Sequence, residues 1–407
     1  MSDKDRAALL AGEAVVGQFQ VAGTDDVVPG VLRWSAEAGA TLELINEASG
    51  FPRAFGGPRF QVYGVLRSGT DVTLHDCFLR RLMSFDQPTH VSAATLAFGA
   101  HVLAETTWPR AIYSTVALSE WRNDSGIHLS RPAPRKRPSD FRVEFKQPTR
   151  DLVALSGGAL TFTGHVATSP VGHRPDFWMR TTAVMVVNVN RPQTISGFMS
   201  RYAQPLRTLM TLAADRPDDL IREVYVDPAT RRRAEVWRRG RLVQEREWSF
   251  RYLLVADQLV DHAAAIRAWW RLHRRVWPAL DLFGDHINEG TSYSPGRFLT
   301  VFSAIERYGD VRHGTTDLKR LRAYGDVDSA ITGCTNKALD LIGVTRGYVA
   351  HFNNVGANRR AEVEGNMLAS TRRLAALMQS CLLRNLGIKK ALRHEIMEQH
   401  YAPWPLT

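Results

Sequence analysis

Near residue 256 the hydrophobic pattern of this chain changes period, and that change limits the fold more than any other feature. Upstream, short runs alternate apolar with polar residues between glycine-containing turns, as strands with one buried face do. Thr41–Ile45 sets Leu42 and Leu44 against Glu43 after a turn over Glu37–Ala40, and Phe60–Leu66, Arg67–Asp71 and Val72–Cys77 repeat the unit. Further strands are expected at Val31–Trp34, Val91–Phe98, Ile112–Leu118, Phe141–Phe145, Leu160–His165 and Arg180–Val189. Val28-Pro29-Gly30 reads as a turn, and Asp227-Pro228 as one joining strands Glu223–Val226 and Ala234–Arg238. A sandwich or a curved open sheet fits this spacing equally. Within this half, a helix is expected from about Gln193, with Phe198, Tyr202, Leu206, Leu209 and Met210 at helical spacing despite Pro205.

Downstream the period is helical. A helix over Asp257–Trp277 places Leu259, Val260, Ala263, Ile266, Trp270 and Trp277 inward, with Pro278 as its stop. Ser294-Pro295 caps a second helix over Gly296–Tyr308, whose inner face is Phe298, Val301, Phe302, Ile305 and Tyr308. Cys334–Asn354, Arg360–Leu386 (ended by Gly387) and Ile388–His400 follow. The expected class is α+β: a β-rich region over 1–255, divisible near 190, then a helical bundle over 256–407.

Charge and cysteine narrow the function. The 407 residues carry a formal charge of +11, which suits a polyanionic partner. Much of it is arginine in clusters: Arg135–Arg137 within the proline-rich loop over 131–138, Arg231–Arg233, Arg238–Arg241, Arg274–Arg275, Arg359–Arg360 and Arg372–Arg373. The three cysteines, Cys77, Cys334 and Cys381, lie far apart with no CxxC spacing. That argues against a disulfide framework or a structural zinc site. The first residues, MSDKDRAALLAGEAVV, lack the apolar core of a signal peptide, and no run reaches the ~20 apolar residues of a membrane span. A cytoplasmic protein without membrane contact is expected. Phosphate-binding, dinucleotide-binding, zinc-protease, EF-hand and nucleophile-elbow motifs are absent, and no cofactor or metal is implied. His101, His165 and His173 read as satisfied or exposed imidazoles, and Trp269 and Trp270 as core.

One helix carries residues that could do chemistry. Ile331, Cys334, Ala338, Leu341, Ile342, Val349 and Phe352 form its apolar stripe, with Arg346 and His351 flanking it. At 100° per residue those two lie about 140° apart. A bland role at a helix C-terminus, where cations meet the negative dipole end, accounts for many such pairs. With RNA as substrate a sharper role exists. Arginine stabilises charge developing on phosphate, and histidine moves a proton to or from the 2′-hydroxyl or the leaving 5′-oxygen.

Arg346-Gly-Tyr-Val-Ala-His351 resembles the HEPN motif, an arginine, four to six residues, then histidine, at the end of a helix in an α-bundle. With VPGVLRW, ATLELIN, FQVYGVL and VTLHDC upstream and RFLTVFSAIERY before the motif helix, the chain is similar to the ApeA-like abortive-infection proteins of bacteria. The resemblance implies a metal-independent endoribonuclease, the toxic effector of a phage-defence system. Its catalytic Arg346 and His351 would meet those of a second protomer in a homodimer. It also implies RNA, with tRNA a candidate, as substrate, and a phage-derived trigger sensed by the β-rich half. Two residues 140° apart converge poorly within one helix, so either the partner completes the site or a π-bulge at Gly347 swings position 351 towards 346. Many active HEPN nucleases carry Asn, Asp or His directly after the motif arginine, where this chain has Gly347. Asn353 or Asn354 could supply the missing polar group, and Glu306 could orient the arginine. Two rival readings remain: a non-catalytic HEPN module binding nucleotide or RNA, and a β-domain that binds a phage ligand with the bundle as dimeriser.

Overall fold

The computed structural model describes residues 2–45, 59–81, 89–122, 127–130, 142–145, 150–168, 179–240, 253–288, 294–326, 328–351 and 356–401. The loop over 131–138, His173 and both Asn353 and Asn354 lie outside the described residues. The α+β class holds, and the β-rich part realises the curved-sheet alternative: it curves until part of it closes. Strands β1 (Val15–Val21), β2 (Val27–Ser35), β3 (Gly39–Leu44), β4 (Phe60–Leu66), β5 (Asp71–Arg81) and β6 (Thr89–Ala93) pair antiparallel in the order β5-β4-β1-β2-β3-β6. Because β6 pairs back onto β5, the six form a closed barrel. Helix α1 (Asp3–Leu10), capped by Ser2 Oγ accepting from the Asp5 N–H, adds Leu9 to the barrel's core.

Phe19 fills the barrel, and three glycines make the room. A Cβ on Gly64 would stand 2.5 Å from the Phe19 ring, one on Gly30 3.0 Å and one on Gly17 3.2 Å. Val28-Pro29-Gly30 is therefore not a turn but part of β2, with Pro29 opposite Gln18. Proline's fixed φ suits extended backbone, and the glycine is there for the ring beneath it.

The barrel opens into a larger sheet at β5. Asp76, at φ 55, sits in an irregularity where β5 slips register against β4, the mark of a bulge that bends a strand. Past the bend β5 pairs with β6, and before it with β7 (Thr95–Phe98). From β7 the sheet continues through β15 (Arg232–Arg238), β14 (Leu220–Asp227), β8 (Thr107–Thr115), β13 (Met179–Thr194), β12 (Gly158–Thr168) and β11 (Asp151–Leu155). β9 (Ile127–Ser130) and β10 (Arg142–Phe145) form a separate ribbon. The expected strand over Ile112–Leu118 ends early, at Thr115, and α2 (Val116–Arg122) begins. Thr115 Oγ1 takes the Leu118 N–H, and Asp218 Oδ1, 101 residues on in sequence, takes that of Ala117.

The helix expected near Gln193 is α3 (Ile195–Phe198), a π-turn over Met199–Ala203 and α4 (Gln204–Ala214) in succession. Pro205 cannot donate to the backbone, and the Arg201 carbonyl four residues earlier instead accepts the Trp270 indole N–H at 3.1 Å. Trp269 Nε1 donates to the Pro205 carbonyl at 2.8 Å. Both tryptophans are buried and sit in the core, as expected.

They belong to α5 (His262–Asn288), which runs through Pro278 instead of stopping there. It kinks at Val276 (φ −126°, ψ 22°), so the proline opens the second segment, where its missing N–H is no loss. Val260 and Trp277, assigned inward by the sequence pattern, are 81% and 55% exposed. Helix α6 (Pro295–His313) is capped by Ser294 as expected, and its five anticipated inner residues are all buried. Two short helices unseen in the pattern, α7 (Leu318–Gly325) and α8 (Ser329–Thr332), precede α9 (Asn336–His351). Gly333, at φ 63, ends α8, so Cys334 lies before α9 rather than within it. The expected helix over Arg360–Leu386 is two, α10 (Ala357–Gly365) and α11 (Met367–Asn385), broken at Asn366 (φ −102°, ψ 4°). Gly387, at φ 79, separates α11 from α12 (Lys390–Tyr401). Among the described residues no helix is long and apolar enough to cross a membrane.

Two hydrophobic cores result. One fills the barrel from Leu9 to Phe98 and takes in Trp237. The other runs from Ala97 through the open sheet, α4 and α5 to Met397, continuous across residue 255.

Two outcomes follow from this packing. Gly64→Ala should destabilise the protein by about 1–3 kcal/mol in denaturant titration, because Phe19 is fully enclosed; a neutral result would mean the ring does not press on β4. The second concerns His286, whose Nδ1 accepts from buried Arg297 Nε at 2.9 Å. Burial, with Arg297 adding to it, lowers the His286 pKa from 6.5 to about 4. Between those values the unfolded chain takes up a proton that the folded one refuses. The stability is thus complete above pH 6.5 and falls by roughly 3 kcal/mol towards pH 4. His286→Gln, which keeps an acceptor for Arg297, should flatten that part of the melting-temperature profile; an unchanged slope would place the acid sensitivity elsewhere.

Candidate functional site

Helices α6 and α9 build the site between them. On α6, Phe302 and Glu306 stand four residues apart and so share a face. On α9, Arg346 lies in the penultimate turn and His351 is the last residue. The Arg346 guanidinium rests over the Phe302 ring, 5.3 Å from its centroid, and its Nη2 lies 3.4 Å from the Glu306 carboxylate. Nη1 reaches to 3.5 Å from His351 Nε2.

The expectation that Arg346 and His351 diverge within one chain is thus corrected. α9 is α-helical from Asn336 to His351, with no π-bulge at Gly347. Five residues advance an α-helix by about 7.5 Å, and a long arginine side chain spans that along the helix axis. Three of the five residues singled out by sequence, Arg346, His351 and Glu306, come together in this way. Asn353 and Asn354 lie outside the described residues.

The site is held lightly. Side-chain exposure is 39% for Arg346 and 28% for Glu306, and His351 is exposed. Contacts of 3.4–3.5 Å are long for charge-assisted hydrogen bonds, which prefer about 2.7–2.9 Å. The guanidinium is oriented by a ring and a carboxylate yet keeps donors facing solvent. An incoming phosphate would meet a planar fork of N–H groups with an imidazole beside it.

A neighbouring cluster was not foreseen. Tyr348 Oη donates to Glu364 Oε1 at 2.9 Å, and Arg360 Nε donates to the same oxygen at 2.9 Å. The hydrogen bond to Glu364 raises the Tyr348 pKa, and Arg360 together with Tyr348 lowers that of Glu364. This ties α10 to α9 two residues beyond Arg346. Only the Arg360–Glu364 spacing, an i, i+4 pair, could have signalled it. The cysteines are all free and buried, with burial raising their pKa values to about 12, 11 and 12 for Cys77, Cys334 and Cys381, so none is a ready thiolate. Among the described residues no three His, Cys, Asp or Glu side chains form a metal-binding group.

The class defined by these features is an α+β protein in which a barrel and sheet share their packing with a helical bundle that displays an arginine–histidine pair. Residues 14–221, just over half of the chain, match the family model described as ApeA N-terminal domain 1. The chain belongs to that family, and membership suggests a setting of abortive infection and antiviral defence. The match takes in the barrel and most of the open sheet and ends within β14, before the bundle. No curated protein and no solved structure matches the chain.

A double-mutant cycle of Arg346→Ala and Glu306→Ala, read by chemical denaturation, should give a coupling of no more than about 1 kcal/mol. Coupling of several kcal/mol would make this pair a structural bridge rather than a guanidinium kept available.

Proposed function

We propose that the chain is a HEPN-type endoribonuclease that needs no metal ion and acts as the toxic effector of an abortive-infection response in the cytoplasm. The observation that carries this reading is the Arg346–His351 pair, 3.5 Å apart and open to solvent, steered by Glu306 and Phe302 on the neighbouring helix. The ribose 2′-hydroxyl is an internal nucleophile. One imidazole removes its proton as the 2′-oxygen attacks phosphorus, and Arg346 neutralises the charge gathering on the non-bridging oxygens. The bond to the 5′-oxygen breaks, that oxygen is protonated, and the products are a 2′,3′-cyclic phosphate and a 5′-hydroxyl. One histidine cannot at the same instant accept the first proton and donate the second. A homodimer that brings two such pairs together would supply both, so two copies of this chain form the proposed working unit. The net charge of +11 would draw RNA, with tRNA a candidate substrate, in a salt-dependent way. The barrel and sheet, which carry the family match, would receive a phage-derived trigger.

A second reading, binding of RNA or nucleotide without cleavage, is favoured by Gly347, which offers no side chain beside the motif arginine. Incubation of wild type and His351→Ala with cellular RNA and a chelator separates the two. The nuclease reading expects discrete fragments ending in 2′,3′-cyclic phosphate from wild type alone, before or after addition of lysate from phage-infected cells. Fragments from both proteins would remove His351 from the site, and none under either condition would favour the binding module.

A further inference from the structure

A cleft of about 710 Å³ lies between the sheet and the first bundle helix, away from the residues discussed above. Five arginines line it: Arg191, Arg201, Arg267, Arg271 and Arg274. Three backbone irregularities converge on it. The β11–β12 hairpin turns at Gly157 (φ 95), whose carbonyl accepts the Asn190 N–H at 3.0 Å. Strand β13 leaves its register with β8 between Asn188 and Gln193, and this detour carries Arg191 to the rim. The π-turn over Met199–Ala203 presents Arg201, with Tyr202 and Trp270 forming apolar wall. Bulges and π-turns gather where a fold re-aims side chains for a ligand.

Among the described residues the charge is uncompensated. Arg267, Arg271 and Arg274 repeat at four and three residues along one face of α5, a spacing at which like charges repel and disfavour the helix. Elsewhere the helices pair their exposed arginines locally, as Arg307 with Asp310, Arg359 with Glu362 and Arg360 with Glu364. Among the described residues no carboxylate forms an ion pair with any of the five, and no acidic side chain lines the cleft. Five cations exceed what one phosphate neutralises, and 710 Å³ falls within the range of small-molecule sites.

We propose that this cleft binds a small molecule bearing a chain of phosphate groups, a nucleoside polyphosphate or a linear polyphosphate, through guanidinium forks. Its walls come from both the family-matched sheet and α5, so an occupant bridges the two. The assignment does not depend on the nuclease reading, because it is tested by binding alone.

Titration calorimetry of the intact protein with ATP, tripolyphosphate and adenosine, without magnesium, tests it. ATP should bind and adenosine should not. Equal binding of tripolyphosphate would identify the phosphate chain as the whole determinant, and its failure beside ATP would add a requirement for the nucleoside. Arg271→Glu and, independently, Arg267→Glu should each weaken ATP by about tenfold or more with unchanged melting temperature. Arg275→Glu, exposed on the same helix but outside the cleft, makes the same charge change and should have less than about a twofold effect. Absence of ATP and tripolyphosphate binding would overturn the proposal, as would equal losses from Arg275→Glu and Arg271→Glu. Arginine-dependent binding of a short 2′-O-methyl oligoribonucleotide alone would also overturn it, making the cleft an RNA track.

Discussion

A β-strand has two edges, and every buried N–H and C=O along them needs a partner; β5 shows what this fold makes of that constraint. One edge is paired with β4. The other is divided, its first residues bonded to β7 and its last to β6. Asp76 stands at the division with a left-handed φ, and Arg59 Nη1 donates to its carbonyl at 2.9 Å. Because β7 and, as far as Leu79, β6 keep the same register against β5, they behave as one strand bent near Ala94. The barrel and the open sheet are therefore one hydrogen-bonded surface, and each would leave an unpaired edge without the other.

The sheet is joined to the bundle by a different economy of backbone groups. A proline inside a helix frees the carbonyl four residues earlier, a loss that ordinarily disfavours helix. Here the bundle supplies the missing donor through Trp270, and Trp269 adds a bond to Pro205 itself. Asp215, at the end of α4, accepts from Gln379 and meets His400, both at 2.8 Å, so α11 and α12 are held to the same helix. The continuous core across residue 255 is the apolar counterpart of these bonds. A change of sequence period, however sharp, need not be a boundary between independent packings.

What the sequence made legible was local. The switch from alternation to helical period, the hairpin at Asp227-Pro228 and the cap at Ser294 depend on residues within a few positions of one another. Closure of the barrel does not, since β3–β6 and β5–β6 pairing is a property of the whole sheet. Pro278 misled for the same reason: a proline reads as a breaker until a kink, here at Val276, lets it open a second segment, whereas the helical period carried past Pro205 held. At the candidate site the spacing of Arg346 and His351 was legible and their approach was not, because angular position on a helix ignores how far an arginine reaches along it. The cleft arginines are scattered from 191 to 274, and the sequence cluster Arg274–Arg275 joins one residue that lines the cleft to one that does not.

Contrasts among the arginines show why a loosely held guanidinium matters. Arg238 grips Glu223 through two bonds of 2.7 and 2.9 Å, with the carboxylate fully buried, and Arg6 grips Glu235 at the same distances. Such forks are saturated, and removing either arginine would strand a buried carboxylate. They serve the fold. Arg346 has the opposite character, with long contacts, a half-buried carboxylate and an aromatic ring that sets its plane without consuming its donors. A phosphate must compete only with weak contacts there, while the ring keeps the fork from wandering. In the cleft arginines the same logic goes further, since nothing among the described residues competes at all. The proposed anion sites of this chain are thus the places where an arginine has few partners, and the fold spends its strong carboxylates elsewhere.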